Sequence, residues 1–308
     1  MKYDISYGKF SVPLYRVYAA PLTGVTPIPE SPFTGRSNNV LAAEIDVEVF
    51  GDNFLPAYTA GDNSQVVATD SMKNYILRHA LDFTGATLEE LLHSLGTGLL
   101  ARYEQMQALR VTGRELPFTA ATVPDGAGGF MASAALFHRS HDDYGLASLR
   151  FERDEADSGV LTEHRCGRAG LQLLKITGSA FTHFVRDDYT TLPERVDRPL
   201  YVYMDVFWTY TDAVEMLDAS HSHYAPSEQI RDFVATVFDG FVSESIQHLT
   251  HEIGTRLLAR FPRLATVSFE AQNRTRDPVA ISASDAKVKV YSDPFPAFGV
   301  IKLTIQRE

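Results

Sequence analysis

Val40-Leu41-Ala42-Ala43-Glu44-Ile45-Asp46-Val47-Glu48-Val49-Phe50 settles, from Glu44 onward, into strict alternation of acid and aliphatic. A side-chain period of two puts the acids on one face and Ile45, Val47 and Val49 on the other, the pattern of a half-buried antiparallel strand. A strand is also expected around 11–20. The four prolines of residues 21–32 make the connection between the two a non-regular excursion. After Phe50 the period changes. Helices are expected at about 70–83 and 87–109, the longer with Leu88, Leu91, Leu92, Leu95, Leu99, Tyr103 and Met106 on one stripe. Thr87 and Glu90 form a capping box at its start. Strands near 115–123 and 129–138 follow, joined by the turn Pro124-Asp125-Gly126.

The second half repeats this order. Strands fall near 170–179 and 200–210, helices near 227–239 and 245–261, and strands near 263–272, 286–291 and 300–306. Ile230, Phe233, Val234, Val237 and Phe238 give one helix its apolar side, and Ile246, Leu249, Ile253, Leu257 and Leu258 the next. Asp239-Gly240 breaks the two apart. Strand, strand, helix, helix, strand, strand, twice over, is an α+β grammar: two domains, 1–150 and 151–308, each an antiparallel four-stranded sheet with two helices on one face. Such a sheet has two open edges, and joining sheets into a closed barrel across subunits removes them, so an oligomer is expected.

Composition narrows the partners. With 308 residues, 44% hydrophobic and 22% charged, the chain is ordinary for a globular protein. A net charge of -11 argues against nucleic acid or an anionic membrane as partner. An anionic small molecule would need local positive charge. The single Cys166 excludes an internal disulfide, and with no apolar run long enough to span a membrane a cytoplasmic location is expected.

Several clusters compete as sites. His221 and His223 in Ser-His-Ser-His-Tyr, with His248 and His251, lack metal-ligand spacing, so a polar surface loop is expected at 220–224. Gly126, Gly128 and Gly129 fall in a hairpin, the wrong context for a phosphate loop. Val66-Val-Ala-Thr69-Asp70-Ser71-Met-Lys-Asn-Tyr-Ile76 runs from a strand-like end into a helix. Its hydroxyls and carboxylate read either as N-caps or as a helix start aimed at an anion. From Lys175 to Arg198 a strand enters a polar stretch of aromatics, arginines and acids, and Asp187, Asp188 and Asp197 read as internal ion pairs.

That last segment, with Phe181, Arg186-Asp-Asp-Tyr-Thr-Thr-Leu192 and Asp197-Arg198, resembles the Ser-x-Phe, Arg-Asp-Glu-Tyr-Thr-Thr-Leu and Asp-Arg block of the urate oxidases (uricases). Thr69-Asp-Ser-Met-Lys-Asn74 is similar to the same family's signature, as are Tyr7-Gly8-Lys9, Ser245-Ile246-Gln247 and Gly299-Val-Ile-Lys302. These blocks lie in family order from residue 7 to 302, essentially the whole chain. The resemblance implies two tandem tunnelling-fold (T-fold) domains and a homotetramer with a barrel-lined tunnel and active sites at subunit interfaces. It implies oxidation of urate by O2 to 5-hydroxyisourate and hydrogen peroxide, with no metal or organic cofactor.

Residue by residue, the resemblance assigns Phe181 to stacking on the purine, Arg198 to a bidentate fork, and Gln247 with the Ile246 backbone N–H to a clamp. Leu192 and Ile301 become apolar walls, and Asn273 the holder of O2 or water. Thr69 and Asp70 are supplied by the neighbouring subunit, and Lys9 with the Thr69 hydroxyl forms a proton relay. A lysine serves as base only where its amine is neutral. One position departs: the family's relay histidine, two residues after the asparagine, is Thr275 here, which passes a proton through its hydroxyl but does not titrate near neutral pH. A T-fold pterin enzyme, which generally uses a histidine-bound zinc, and a non-catalytic purine-binding relative remain the alternatives.

Overall fold

The computed structural model describes residues 1–139, 142–154, 159–274, 276–292 and 296–308, and these fall into two compact units. One comprises Met1–Pro27, Phe33–Gly167 and Thr209–Pro226; the other comprises Ile28–Pro32, Arg168–Trp208 and Ser227–Glu308. The chain is mixed α+β, as its grammar predicts.

In the first unit the neighbouring strands are β1 (Ser6–Val17), β2 (Val40–Phe50), β3 (Ala108–Glu115), β6 (Tyr144–Arg153) and the opening of β7 (Gly159–Lys175). Ile45, Val47 and Val49 are fully buried, while Glu44, Asp46 and Glu48 keep part of their surface, as the alternation requires. Across the ladder, Arg114 meets Glu44 at 2.9 Å and Arg110 meets Glu48 at 3.7 Å. These pairs of opposite charge hold the polar face in register. A short α1 (Leu55–Thr59) is followed by α2 (Thr69–Asp82) and α3 (Leu88–Arg102). The Thr87–Glu90 capping box is present at the start of α3. Leu88, Leu91, Leu92, Leu95 and Leu99 of α3 are buried, and a Cβ at Gly96 would stand 2.3 Å from the Phe151 ring of β6. Only glycine allows so close an approach of helix to sheet.

Two expectations are corrected here. The helix expected to reach 109 ends at Arg102, because Tyr103 leaves helical geometry for an extended one (φ -122°, ψ 92°) and the chain re-enters the sheet as β3. Met106 is buried, but in the turn after the helix rather than on its stripe. The strands expected near 115–123 and 129–138 exist as β4 (Phe118–Pro124) and β5 (Phe130–Arg139), yet they pair with each other in a two-stranded hairpin. The places in the main ladder go to β3 and β6, the first of which starts inside the supposed helix tail.

In the second unit the order is the end of β7, β8 (Leu200–Tyr210, its last residues counted with the first unit), β9 (Leu264–Asn273) and β12 (Gly299–Gln306). The helices are α4 (Ser227–Gly240) and α5 (Ile246–Arg260). The strand expected at 286–291 is instead one side of a small ribbon, β11 (Lys289–Tyr291) against β10 (Pro278–Ile281). Leu91-x-His-x-x-Gly-Thr-x-Leu-Leu-Ala-Arg102 of α3 returns as Leu249-x-His-x-x-Gly-Thr-x-Leu-Leu-Ala-Arg260 in α5. Gly254 sits against Phe269 as Gly96 sits against Phe151. At each helix end an arginine, Arg153 at the end of β6 or Arg307 just past β12, reaches the last carbonyls. Arg153 donates to Leu100 O at 2.5 Å, Tyr103 O at 3.0 Å and Met106 O at 2.8 Å. Arg307 donates to Leu258 O, to Phe261 O at 3.5 Å and to Leu264 O at 3.1 Å. A cation there complements the helix dipole. Among the described residues no helix is long and apolar enough to cross a membrane.

Candidate active site

The polar stretch after β7 is irregular, but its two ends are tied. Phe181 and Arg195 exchange both backbone hydrogen bonds, at 2.8 and 2.9 Å. The Arg198 N–H donates to Ser179 O at 2.8 Å, and the Ala180 N–H to Ser243 O at 2.8 Å. Asp197, expected to form an ion pair, instead accepts from the Thr177 hydroxyl at 2.8 Å and the Gly178 N–H at 2.7 Å. Those bonds, the hydroxyl first, hold its carboxyl below the usual range. Asp187 closes a local turn on Thr190 and Tyr189.

This frame puts the Phe181 ring in a stack with Phe184, centroids 4.9 Å apart at 12°, and the Arg198 guanidinium 5.4 Å from the Phe181 centroid. Burial, and then the charge of Arg195, lower the Arg198 pKa. The protein has therefore partly desolvated a cation beside another cation, which is unfavourable unless an anion joins them. Arg198 Nε is buried without a partner among the described residues, and so is Asn273 Oδ1. Each such orphan costs about 1–3 kcal/mol until something meets it.

Leu192, Arg198 and Asn273 line one cavity. Asn273 closes β9 opposite Gly299, and Ile301 faces Ala271 on the same pair of strands. Ser243, which holds Ala180, shortly precedes the start of α5, where Ser245 is N-cap and accepts from the His248 N–H at 3.1 Å. Ile246, buried, and Gln247, exposed, occupy the first turn, where backbone N–H groups have no intrahelical acceptor.

Lys9, Thr69 and Asp70 gather in the first unit. The Tyr7 hydroxyl accepts from the Val67 N–H at 3.0 Å, tying β1 to the approach of α2. Lys9 pairs with Val47 just before a bulge at which Ser11 takes φ 54°. Its charge reaches Asp70, whose carboxyl is lowered first by Lys73, at 2.5 Å, and further by Asn74 and Lys9. The choice left open at 69–71 falls against side-chain capping. The helix begins at Thr69 itself, Ala68 is the N-cap, and no side chain caps it. Thr69 and Asp70 are thus the first helical residues, whose N–H groups the helix itself leaves over. Thr275 lies outside the described residues.

The liners of the Arg198 cavity that sequence reasoning missed include Arg195, Arg276, Lys289 and Tyr291. Arg195 was visible in Arg195-Val-Asp-Arg198, three residues from the fork; the others arrive through a ribbon that periodicity does not mark. The loop at 220–224 is only in part the surface loop expected: Ser220, Ser222 and His223 are exposed, but Tyr224 and His221 are buried. His221 is buried, between Thr23 O at 3.0 Å and Glu90 at 3.3 Å, and His223 pairs with Glu215 at 2.5 Å. Among the described residues no three His, Cys, Asp or Glu side chains group as a metal site.

Fold and cavity together define a class: an α+β protein of repeated units with a cation-rich cavity suited to an anion, beside the Phe181 ring on which Arg198 lies. The chain matches the model of the Uricase family over residues 50–148 and 164–301 and belongs to that family. It is 48% identical to the uricase of Haloferax volcanii over 272 residues, 88% of each chain. It is 42% identical to the uric acid degradation bifunctional protein of Bacillus subtilis over its full length, which spans 62% of that longer protein. The crystal structure of the Bacillus sp. TB-90 urate oxidase superimposes with a TM-score of 0.96 at 41% identity, covering 99% of this chain and 100% of that one.

Proposed function

We propose that this chain is a urate oxidase, converting urate, O2 and water into 5-hydroxyisourate and hydrogen peroxide. Kinship to named uricases supports the activity. The observation that carries the site is the orphaned donor and acceptor of the cavity: Arg198 Nε and Asn273 Oδ1, buried and unmet among the described residues, with the Phe181 ring under the Arg198 guanidinium. Urate is a planar anion edged with carbonyls and N–H groups. Phe181 offers its face to the ring, and Arg198 offers the planar fork that a lysine would not reproduce. Gln247 gives an amide that both donates and accepts, beside the Ile246 N–H at a helix start. Leu192 and Ile301 wall the ring, and Asn273 holds O2 or the attacking water.

Thr69 and Asp70 bind the far edge through backbone groups at the uncapped start of α2. Lys9 and the Thr69 hydroxyl draw protons from urate, which makes the ring electron-rich enough to reduce O2. Thr275 continues that chain as a hydroxyl. In this reading the chain carries two T-fold domains divided near residue 150, acts without metal or organic cofactor, and forms a homotetramer around a barrel-lined tunnel. Each site then combines Lys9, Thr69 and Asp70 of one subunit with Phe181, Arg198 and Gln247 of another. The test is purified protein with urate in air, followed by urate absorbance and peroxide. Equimolar urate loss and peroxide are expected. Urate bound but not consumed would mark a purine-binding relative instead.

A further inference from the structure

The Arg198 cavity holds more positive charge than a single fork needs. Arg195, Arg198, Arg276 and Lys289 line it, against the carboxylates of Asp197 and Asp277. Both acids are engaged. Asp277 pairs with Arg195 at 3.1 Å, and Asp197 is bonded to Thr177 and Gly178. Arg276 has no carboxylate partner among the described residues. Its guanidinium lies over the Tyr201 ring at 4.7 Å from the centroid, and its Nε is buried without a hydrogen-bond partner among the described residues. A ring face fixes the plane of a guanidinium without neutralising it. Lys289 is exposed on β11.

The whole protein carries -11, a field that repels an anion. We propose that Arg276 and Lys289 form a capture site that draws the urate anion into the cavity and passes it to Arg198. This rests on the urate oxidase reading and adds to it two residues that steer the substrate without touching the reacting atoms. A charge lining a cleft acts on the encounter rate, and within about 10 Å at 0.1 M salt, so its mark is salt-dependent association.

The experiment measures urate association by stopped flow under nitrogen, across ionic strength, with aerobic turnover in parallel. Arg276→Gln is expected to lower the low-salt association rate constant about 3- to 10-fold, to flatten its fall with salt, and to leave kcat unchanged. Arg276→Lys keeps the charge and should recover most of the rate. Lys289→Gln, at an exposed position, should give a smaller drop of the same kind and carries the test if Arg276→Gln does not fold. Association with the parent's salt slope in both glutamine variants overturns the capture site, as does a fall confined to kcat. A parent that binds urate with this salt dependence yet does not oxidise it sinks the oxidase reading alone. A parent that neither binds nor oxidises urate sinks both.

Discussion

Arg198 is held where a guanidinium is costly, half-buried beside Arg195 and with one nitrogen unmet. Removing it relieves a desolvated charge, so stability should not suffer; removing it from a complex breaks a charged bidentate contact. Arg198→Ala is therefore expected to weaken urate binding about 10²-fold, near 3 kcal/mol, while the thermal midpoint stays level or rises. Calorimetric titration with urate and a melting curve check both halves; an unfolded variant would make Arg198 structural. Lys9→Met should cost about 10²-fold or more in kcat if the amine takes the proton, and a near-parent rate would remove it from the chemistry. Elsewhere Glu89, buried in the first turn of α3, accepts from the Tyr224 hydroxyl at 2.9 Å. Burial, chiefly, raises its carboxyl from 4.5 to about 7. Glu115 adds to that rise and Arg36 opposes it; burial and Glu89 also push the Cys166 thiol up. A folded pKa above the unfolded one means that the native chain keeps a proton the unfolded chain has lost. Stability is then full below about pH 4.5 and falls as pH rises toward and through about 7. Glu89→Gln keeps an acceptor for Tyr224 without the titration. Its melting temperature should change less than the parent's between pH 5 and 8 and exceed it at pH 8, whereas parallel curves would deny the shift.

Helices α3 and α5 each end under an arginine, Arg153 at the end of β6 and Arg307 just past β12, and that repeated device lies beyond what alternation or helical period can reveal. Its partners are backbone carbonyls, which leave no trace in side-chain pattern. Arg307→Met should cost about 1.5–3 kcal/mol, the range for charged hydrogen bonds, and loosen the last turn of α5. Amide exchange at Leu257–Phe261 reads this directly, and unchanged protection would count against the cap. The elements whose pattern is their own were legible in the sequence: β2 by its acids and aliphatics, α3 by its leucine stripe and Thr87–Glu90 box, α5 by Ile246 to Leu258. Where two patterns overlapped, the reading slipped. Tyr103 and Met106 fall at helical spacing after α3, so the start of β3 was absorbed into the helix. The β4–β5 hairpin reads as two strands around a turn, but its pairing is settled by partners, not by anything in its own pattern. The site divides in the same way. Phe181, Arg198, Gln247 and Asn273 became candidates because contiguous motifs carry them, and of these Arg198 and Asn273 line the cavity. Arg276 and Lys289 were missed, because only the folding of the β10–β11 ribbon brings them to the cavity that Arg198 lines.

At the scale of the whole molecule, edges and sites ask for the same remedy. In the first unit β1 ends the strand order with Phe10, Tyr15 and Val17 exposed; in the second β12 ends it with Val300 exposed. An open apolar edge invites another strand, and closed assembly is one way that proteins satisfy it. The proposed site needs an assembly for a separate reason, since its proton-handling residues and its purine-gripping residues are assigned to different subunits. Sharing of this kind can be tested without a structure of the complex. Lys9→Met and Arg198→Ala should each be nearly inactive alone. In a two-fold pair made of one subunit of each kind, one site receives both substitutions and the other neither. Random re-association of equal amounts should then restore about one quarter of the parent rate, as expected for isologous pairing. If each site is instead built from one chain, every site in the mixture carries one lesion and no activity returns. Recovery also requires that subunits exchange, so mixing is done by joint refolding, with two differently tagged copies of the parent showing that hybrids form. Hybrids that form and stay inactive would confine the chemistry to single subunits and remove the reason for placing Thr69 and Asp70 across an interface.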